Sequence, residues 1–279
     1  MSEDIAKNLC HLKQEFVKAY KGNSHIQEII PLTKSEAFPI DEKHLELLHE
    51  FAKKNPIYYN SYEQVIDKSP CMVYEGDINE YWLNSISQGA SYQPFYPTWI
   101  MTAYIMTLTA KNLNFKEAVD IGSGDGRIAY CAKILDLEPY SIEVDESLVK
   151  LQKLITFSTK IDFNPNCADA VEFDYANLSL QQPVFFIGGL AQMGGDVLAN
   201  SIMEKLKKIP NLKENTGMTF AGTYSKKYFP GTLSNDMSEG GWKSVIEENN
   251  LNVIKTVVLP SVWTFDQPID TPYIFTKFN

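Results

Sequence analysis

The sequence predicts an α/β protein: a seven-stranded sheet with helices on both faces, preceded by a small helical N-terminal region. Two patterns carry this prediction. From residue 117 onward, short β-rich apolar runs alternate with segments of helical spacing, which is typical of a doubly wound sheet. Before residue 91 the apolar residues recur at helical spacing, and prolines divide the chain into short pieces. We therefore expect a helical cap over residues 1–90 and an α/β domain over residues 91–279.

Apolar residues three or four positions apart define the helices predicted in the cap. They are Ile5, Leu9, Leu12, Phe16 and Tyr20 in one helix and Leu45, Leu48, Phe51 and Ala52 in another. The cap is also rich in tyrosine, which suits either a cover over a pocket or ordinary packing. These tyrosines are Tyr58, Tyr59, Tyr62 and Tyr74.

A rigid aromatic segment, residues 91–98, leads into an apolar helix predicted from Trp99 to Leu108. Pro97 suits the first helical turn, where its missing N–H costs nothing. This segment, which we call the aromatic entry, is either a hydrophobic staple or the lining of a narrow pocket mouth.

Seven β-rich runs account for the strands of the predicted sheet. They are residues 118–121, 141–144, a weak run broken by Pro165 that ends before Asp169, 183–189, 216–223, 251–259 and 272–277. Helical segments separate the earlier runs, as in a parallel sheet. Only a proline-containing loop separates the last two runs, which predicts a terminal antiparallel pair.

Composition narrows the classes of partner. A formal charge of −10 disfavours nucleic acid, which requires clustered cations, and suits a lysine-rich protein. The N-terminus lacks a signal-peptide core and the apolar helix is too short to cross a bilayer, so we expect a cytoplasmic protein without a membrane partner. The cysteines lie far apart, which predicts reduced thiols and no metal site. Arg127 is the only arginine, and its role is left open.

The stretch from Glu117 to Arg127 reads as a buried strand, a glycine-rich turn and the start of a helix. A dinucleotide fingerprint would require glycine where Arg127 stands, and no P-loop pattern occurs. Asp120, just before the turn, would repel a diphosphate and attract a cationic amino-acid tail. These features predict S-adenosylmethionine as the cofactor, held by Asp120, Gly122, Ser123, Gly124 and Gly126.

Two further carboxylates are candidates for the same cofactor. Glu143 ends the second strand, where an acidic residue suits a ribose diol. Asp169 follows the third strand and could accept a hydrogen bond from the adenine amino group, or simply cap the turn after it. Asp174 is the weaker substitute for Asp169.

The motifs 119–128 and 142–149 resemble the class I, seven-stranded, Rossmann-like S-adenosylmethionine methyltransferases. More narrowly, the chain resembles the small protein-lysine methyltransferases that act on the ATP-synthase c-subunit and the adenine-nucleotide translocase, with their archaeal relatives. The Dot1-type enzymes are more distant. The narrower resemblance lies in segments 94–98, 122–127, 186–193 and 262–266. The mitochondrial members differ by a membrane segment where this chain has its cap.

This resemblance implies transfer of a methyl group to a protein lysine. Tyr96, Phe95 and Trp263 would line an aromatic channel that holds the amine, and Gln192 would accept a hydrogen bond from it. The Asn/Asp-Pro-Pro-Tyr box of base-amino methyltransferases is absent. Three alternatives stay open: a small-molecule methyltransferase, an aminocarboxypropyl transferase resembling nicotianamine synthase, and a catalytically silent cofactor-binding module.

Overall fold

The first 86 residues combine helices with a small antiparallel sheet. The computed structural model describes residues 2–86, 94–212, 215–222, 241–260 and 270–279. The first range contains α1 (Ser2–Ala19), β1 (Ile26–Pro31), α2 (Glu42–Lys54), β2 (Tyr58–Ile66), β3 (Ser69–Gly76) and α3 (Asn79–Ile86). The strands lie in the order β1-β3-β2, and each pair is antiparallel. This small sheet corrects the expectation that the region is helical throughout.

The β2–β3 hairpin lacks the usual sequence signals of a hairpin. Its two-residue turn, Asp67 and Lys68, has positive φ at both positions, 43° and 67°. Such turns usually carry Asn-Gly, whose residues adopt this conformation at little cost. Strand β2 is also largely exposed, so its apolar residues do not alternate cleanly with polar ones.

The remaining ranges form a larger α/β unit. Its strands are β4 (Glu117–Ile121), β5 (Glu138–Glu143), β6 (Pro165–Cys167), β7 (Pro183–Ile187), β8 (Gly217–Ala221), β9 (Leu251–Pro260) and β10 (Asp270–Phe278). Its helices are α4 (Ile100–Asn112), α5 (Arg127–Ile134), α6 (Glu146–Thr159), α7 (Gly195–Leu206) and α8 (Lys243–Glu248). Over the described ranges, these strands form one seven-stranded sheet in the order β6-β5-β4-β7-β8-β10-β9.

Strand direction within the large sheet confirms the predicted topology. Strands β6, β5, β4, β7 and β8 run parallel to one another. Strand β10 is antiparallel to β8, and β9 is antiparallel to β10. The seven predicted strands and the terminal antiparallel pair are therefore confirmed. The weak run before Asp169 is only three residues long and begins at Pro165, the residue that interrupted its pattern.

Both faces of the central strands of the large sheet are buried, and the cap packs on one of these faces. In β4, Ala118 belongs to a core cluster that contains Leu9 of α1 and Phe51 of α2. Val119 points to the opposite face and belongs to a second cluster, with Ile202 of α7 among its members. The alternation follows from the pleat of the strand. Cap and sheet share one core, so the packing is continuous across residue 90. The division of the chain into two domains at that residue stays a prediction.

The first helix of the α/β unit is buried on all sides. Helix α4 begins at Ile100, with Trp99 as its N-cap residue, so Pro97 lies ahead of the helix instead of in its first turn. An all-round apolar surface is typical of a helix enclosed in a core. Along the described part of the chain, no helix combines the length and apolarity needed to cross a bilayer.

Candidate active site

The glycine-rich turn, residues 122–126, lies at the carboxyl end of β4, where the strand order of the large sheet reverses. Strands β5 and β6 lie on one side of β4, and β7 and β8 lie on the other. In doubly wound sheets, ligands bind in the crevice that opens at this reversal. Gly188, directly after β7, faces the same edge, since a Cβ there would lie 3.7 Å from the Ile121 carbonyl oxygen.

Two glycines in the turn meet different requirements. Gly122 has a φ of +64°, and a Cβ at this position would meet nothing within 4 Å. Gly124 has a φ of +58°, and a Cβ there would lie only 2.6 Å from the Phe95 ring. Both backbone conformations favour glycine. Gly122 therefore leaves open space at the sheet edge, whereas Gly124 permits close packing of the aromatic entry.

Glu143 fastens the turn to the end of β5. Its Oε2 accepts a hydrogen bond from the Gly124 N–H at 2.8 Å, and its Oε1 accepts from the Val144 and Asp145 N–H groups at 2.8 and 3.0 Å. Burial raises the pKa of this carboxyl group, and these backbone hydrogen bonds oppose the rise. A carboxylate has about four lone-pair positions, and three are used here, so the predicted ribose contact would use the remaining position on Oε2.

The Ser123 hydroxyl group points into the protein interior. It accepts hydrogen bonds from the Ser141 hydroxyl at 2.7 Å and from Gln152 Nε2 at 2.9 Å. Gln152 Nε2 also donates to the Gly124 carbonyl oxygen at 2.7 Å. Its backbone is also engaged, because its N–H donates to the Ile142 carbonyl oxygen and its carbonyl oxygen accepts from the Gly126 N–H. Ser123 thus holds the turn in place, and its direct contact with the cofactor stays a prediction. The pattern analysis did not identify Gln152 or Ser141, because nothing local in the sequence links them to a turn so far away along the chain.

Asp120 is a buried carboxyl group without a counter-charge. It is 2% exposed, and Oδ2 has no hydrogen-bond partner among the residues that the structure describes. Burial is the main reason that its pKa is raised to about 8; a backbone hydrogen bond from Ala129 opposes the rise, and the Glu143 and Asp125 carboxyl groups add to it. A buried carboxyl group in this state gains most from a cation. Asp120 therefore fits the cationic tail of the predicted cofactor.

Arg127 is buried among acidic and polar groups from several elements. Its Nε and Nη2 donate to the two carboxylate oxygens of Asp125 at 2.8 and 2.6 Å. Its Nη1 donates to Glu28 in β1 and to the Thr98 carbonyl oxygen, and its Nη2 donates to the Tyr58 hydroxyl at 3.2 Å. The sequence left the role of Arg127 open, and the structure places it at the junction of cap, aromatic entry and turn.

The aromatic entry lies against the turn through Phe95, whose ring fills the space beside Gly124. Phe95 is buried, and the Tyr81 ring of α3 meets it edge-on at 6.2 Å. Tyr96 is half-buried and meets the His25 ring edge-on at 6.2 Å. Burial raises the pKa of the Tyr96 hydroxyl group. The segment thus serves the packing role that the sequence allowed, and it does so at the edge of the predicted cofactor site.

The three remaining predicted site residues are Asp169, Gln192 and Trp263. Asp169 is exposed, and its Oδ1 accepts a hydrogen bond from the Val171 N–H at 2.8 Å. It therefore caps the turn, which was one of its two predicted roles; the adenine contact stays a prediction. Gln192 lies in a 3₁₀ turn, Ala191–Met193, which follows β7 at the same sheet edge. Trp263 lies outside the described residues. Within those residues, no three histidine, cysteine or acidic side chains are grouped as metal ligands.

Comparison with known proteins identifies structural neighbours only. No protein-family model matches the chain, and no curated protein matches it. An S-adenosylmethionine-dependent methyltransferase from Clostridium acetobutylicum matches with a TM-score of 0.44 and 11% identity, over 64% of this chain and 92% of the other. The magnesium protoporphyrin IX methyltransferase of Synechocystis, with bound cofactor, gives 0.43 and 9%, over 72% and 96%.

A third neighbour is a mutant of MtNAS in complex with S-adenosylmethionine, with a TM-score of 0.41 and 11% identity. The match covers 65% of this chain and 64% of MtNAS, so the chain spans less than two thirds of that protein. The strand order and the turn geometry described above define the fold and the candidate site independently of these neighbours.

Proposed function

We propose that this chain binds S-adenosylmethionine at the glycine-rich turn and transfers its methyl group to a lysine side chain of a protein. The observation that carries the cofactor is the buried, unpartnered Oδ2 of Asp120, two residues ahead of the open space at Gly122. A diphosphate would be repelled there, whereas a cationic amino-acid tail would provide the missing partner.

Each part of the cofactor has a candidate partner along the edge of the large sheet. Gly122 allows the backbone to approach the ligand, because no side chain occupies that space. Asp120 would pair with the cationic tail, and Glu143 Oε2 would accept a hydrogen bond from the ribose diol. Asp169 follows β6 and would receive the adenine amino group on the oxygen that does not cap its turn.

When bound, S-adenosylmethionine would supply a methyl group on a positively charged sulfur. The nitrogen of a neutral amine can attack this methyl carbon, and the sulfur then leaves as a neutral thioether. The protein must therefore hold a lysine side chain in its uncharged form and exclude competing water. An apolar wall disfavours the ammonium form and lowers the pKa of the amine. Phe95, whose ring packs beside Gly124, would form part of such a wall, and we expect Tyr96, Gln192 and Trp263 to complete it. Orientation rather than acid–base catalysis would then supply most of the rate enhancement.

Three features support lysine as the acceptor. The segments 94–98, 186–193 and 262–266 resemble small protein-lysine methyltransferases. The net charge of −10 suits a lysine-rich partner. The aromatic entry also packs directly on the turn, through Phe95 and Gly124, where an acceptor channel would have to open.

The direct test is incubation of the purified protein with methyl-labelled S-adenosylmethionine and a cell extract. We expect label in protein, recovered as methyl-lysine after acid hydrolysis. Label found only in RNA or in small molecules would contradict the lysine acceptor. Transfer of the aminocarboxypropyl group, with the methyl group left on sulfur, would contradict methyl transfer itself.

Cofactor binding is tested separately by calorimetry with a matched pair of variants. Asp120→Asn should weaken S-adenosylmethionine binding about tenfold or more, because a charge-assisted contact is lost. Asp136→Asn makes the same change at a carboxyl group that is 87% exposed, and should leave binding unchanged. If the wild-type protein binds neither S-adenosylmethionine nor its demethylated product, the chain is not a methyltransferase.

A further inference from the structure

We infer that Arg127 is a positioning residue that couples the docking of the cap to cofactor binding, an inference that rests on the function proposed above. The geometry that points to it is one buried guanidinium group shared by three segments. It contacts Asp125 in the turn, Glu28 and Tyr58 in the cap, and the backbone of the aromatic entry.

The cap side of this network is built from separate elements. The Tyr58 hydroxyl in β2 donates to Glu28 Oε1 at 2.9 Å, and the other oxygen of Glu28 accepts from the Ile100 N–H of α4 at 2.9 Å. Asn55, the residue after α2, donates from Nδ2 to Asp125 Oδ2 at 2.8 Å. Asp125 therefore receives hydrogen bonds from the cap directly through Asn55 and indirectly through Arg127.

Charge balance makes the guanidinium group indispensable to this arrangement. Glu28 and Asp125 are 2% and 1% exposed, and Arg127 is the cation that both contact. Without it, two buried carboxyl groups would face each other with no counter-charge, a situation that proteins avoid. A planar, bidentate group is also needed, because Arg127 binds both oxygens of Asp125 at once and still reaches Glu28.

The position of the Asp125 side chain, which Arg127 and Asn55 fix, affects the backbone of the glycine-rich turn on either side of it. Asp125 lies between Gly124, whose N–H binds Glu143, and Gly126, the N-cap residue of α5. A change in the position of the Asp125 side chain would move the backbone on either side of it. Loss of the Tyr58 hydroxyl contacts would therefore shift Asp125, and with it Gly124 and its hydrogen bond to Glu143. Tyr58 would act on the cofactor site only through these residues.

The test compares two tyrosine variants of the full chain. Tyr58→Phe removes the hydroxyl that joins Glu28 and Arg127. Tyr104→Phe removes a hydroxyl whose hydrogen bond, at 2.9 Å to His44 Nδ1, is also partly buried, and Tyr104 belongs to the core cluster against which Tyr58 packs. For each, S-adenosylmethionine affinity is measured by calorimetry and stability by urea unfolding, under conditions where the protein is fully folded. Arg127→Lys, which keeps the charge and loses the bidentate contact, is measured in parallel.

We expect Tyr58→Phe to weaken cofactor binding about fivefold or more, as for a coupled site, and Tyr104→Phe to change it less than twofold. Arg127→Lys should weaken binding further. In the wild-type protein, added cofactor should slow hydrogen exchange in residues 26–31 and 58–66, and Tyr58→Phe should reduce this protection.

Two results would overturn the inference. If Tyr58→Phe binds the cofactor as tightly as the wild-type protein, or if affinity simply follows stability in both tyrosine variants, Arg127 has a structural role only. If the wild-type protein binds no cofactor at all, the proposed function fails and this inference fails with it.

Discussion

Asp120 is the residue whose environment most strongly suggests a missing partner. A carboxyl group 2% exposed, with an unpartnered oxygen, destabilises the folded state unless it binds a proton or a cation. Such groups occur often at functional sites, where a ligand supplies what the fold withholds. Asp120 should therefore contribute to the pH dependence of both stability and cofactor binding.

The first prediction concerns stability without cofactor. The folded-state pKa of Asp120, about 8, lies above its ordinary value of 3.8, so the folded protein retains a proton that the unfolded chain has lost. Stability should therefore fall as pH rises through this interval, by at most about 1.4 kcal/mol per pH unit. Asp120→Asn should reduce this slope, to which the buried Glu28 and Glu143 also contribute, and should be more stable than the wild-type protein at pH 8. Urea unfolding at pH 5, 6.5 and 8 measures the free energy of unfolding of each protein, with Asp136→Asn as the control. If Asp120→Asn is less stable than the wild-type protein at every pH, the Asp120 carboxylate is ionised and has a partner.

The second prediction concerns protons released on binding. At pH 6.5 Asp120 is protonated in the free protein, and a cationic tail beside it would favour the ionised form. S-adenosylmethionine binding should therefore release close to one proton at pH 6.5, where the α-amino group of the ligand is already charged. Calorimetry in two buffers of different ionisation enthalpy gives the number released. Asp120→Asn should release none, and equal release by both proteins would assign the proton to another group.

The third prediction separates the two glycines of the turn. Gly122→Ala meets no neighbouring atom and should cost only about 1–2 kcal/mol for the left-handed conformation. Gly124→Ala adds a clash with the buried Phe95 ring, which should cost about 1–3 kcal/mol more. Urea unfolding measures both. Gly122→Ala should nevertheless weaken cofactor binding, because its methyl group would enter the open space; unchanged affinity would show that the ligand does not approach Gly122.

At the residue scale, the sequence predicts positions with a local signature and misses those without one. The strand–glycine–helix pattern predicted that Asp120, Gly122 and Glu143 lie at the carboxyl ends of two strands, because these positions follow from spacing; their roles toward a cofactor stay a prediction. Gln152 and Arg127 support the turn through partners distant in sequence, such as Glu28, and no local pattern encodes these contacts. The sequence also does not predict that the Ser123 hydroxyl points into the protein interior.

At the scale of elements, predictions succeeded where burial was complete. Strands β4 and β7 are buried at every position. The continuous apolar run of β7 is typical of a central parallel strand, whereas β4, which also contains Glu117 and Asp120, was recognised with the help of the glycine-rich turn that follows it. Strand β2 is mostly exposed and turns into β3 through Asp67 and Lys68, so neither its pattern nor its turn indicated a hairpin. The sequence signal for a strand thus weakens with its exposure.

The fourth prediction follows from that turn. Replacing Asp67 and Lys68 by Asn and Gly should stabilise the protein by about 0.5–1 kcal/mol, since both φ values are positive and Asn-Gly suits this turn. An asparagine can retain the contact of residue 67 with His11. Thermal unfolding measures the change. Lys68→Val should act in the opposite direction, because a β-branched residue resists positive φ; stabilisation by both changes would exclude turn conformation as the cause.

At the scale of the whole molecule, the predicted sheet was correct, but the packing of the cap against that sheet was not apparent from the sequence. One core cluster joins α1 and α2 to the large sheet, and the Arg127 network crosses the same boundary. Sequence patterns show which face of an element is apolar, but they do not show which other element covers it. The cap therefore looked separable along the chain although it completes the packing of one sheet face.

The last prediction tests this shared core. Trp99 belongs to the cluster on the cap side of the sheet, and Trp242 belongs to the cluster on the opposite side. If the described cap and sheet unfold together, Leu9→Ala in α1 should lower stability by about 2–4 kcal/mol and shift the unfolding midpoint equally at both tryptophans. Protein labelled with 5-fluorotryptophan reports each site by fluorine NMR during urea unfolding. Leu83→Ala, at a leucine that is 60% exposed, is the matched control and should shift neither signal by much. A midpoint that moves for Trp99 while that of Trp242 stays fixed would mean that the cap unfolds by itself, and the coupling through Arg127 would then lose its structural basis.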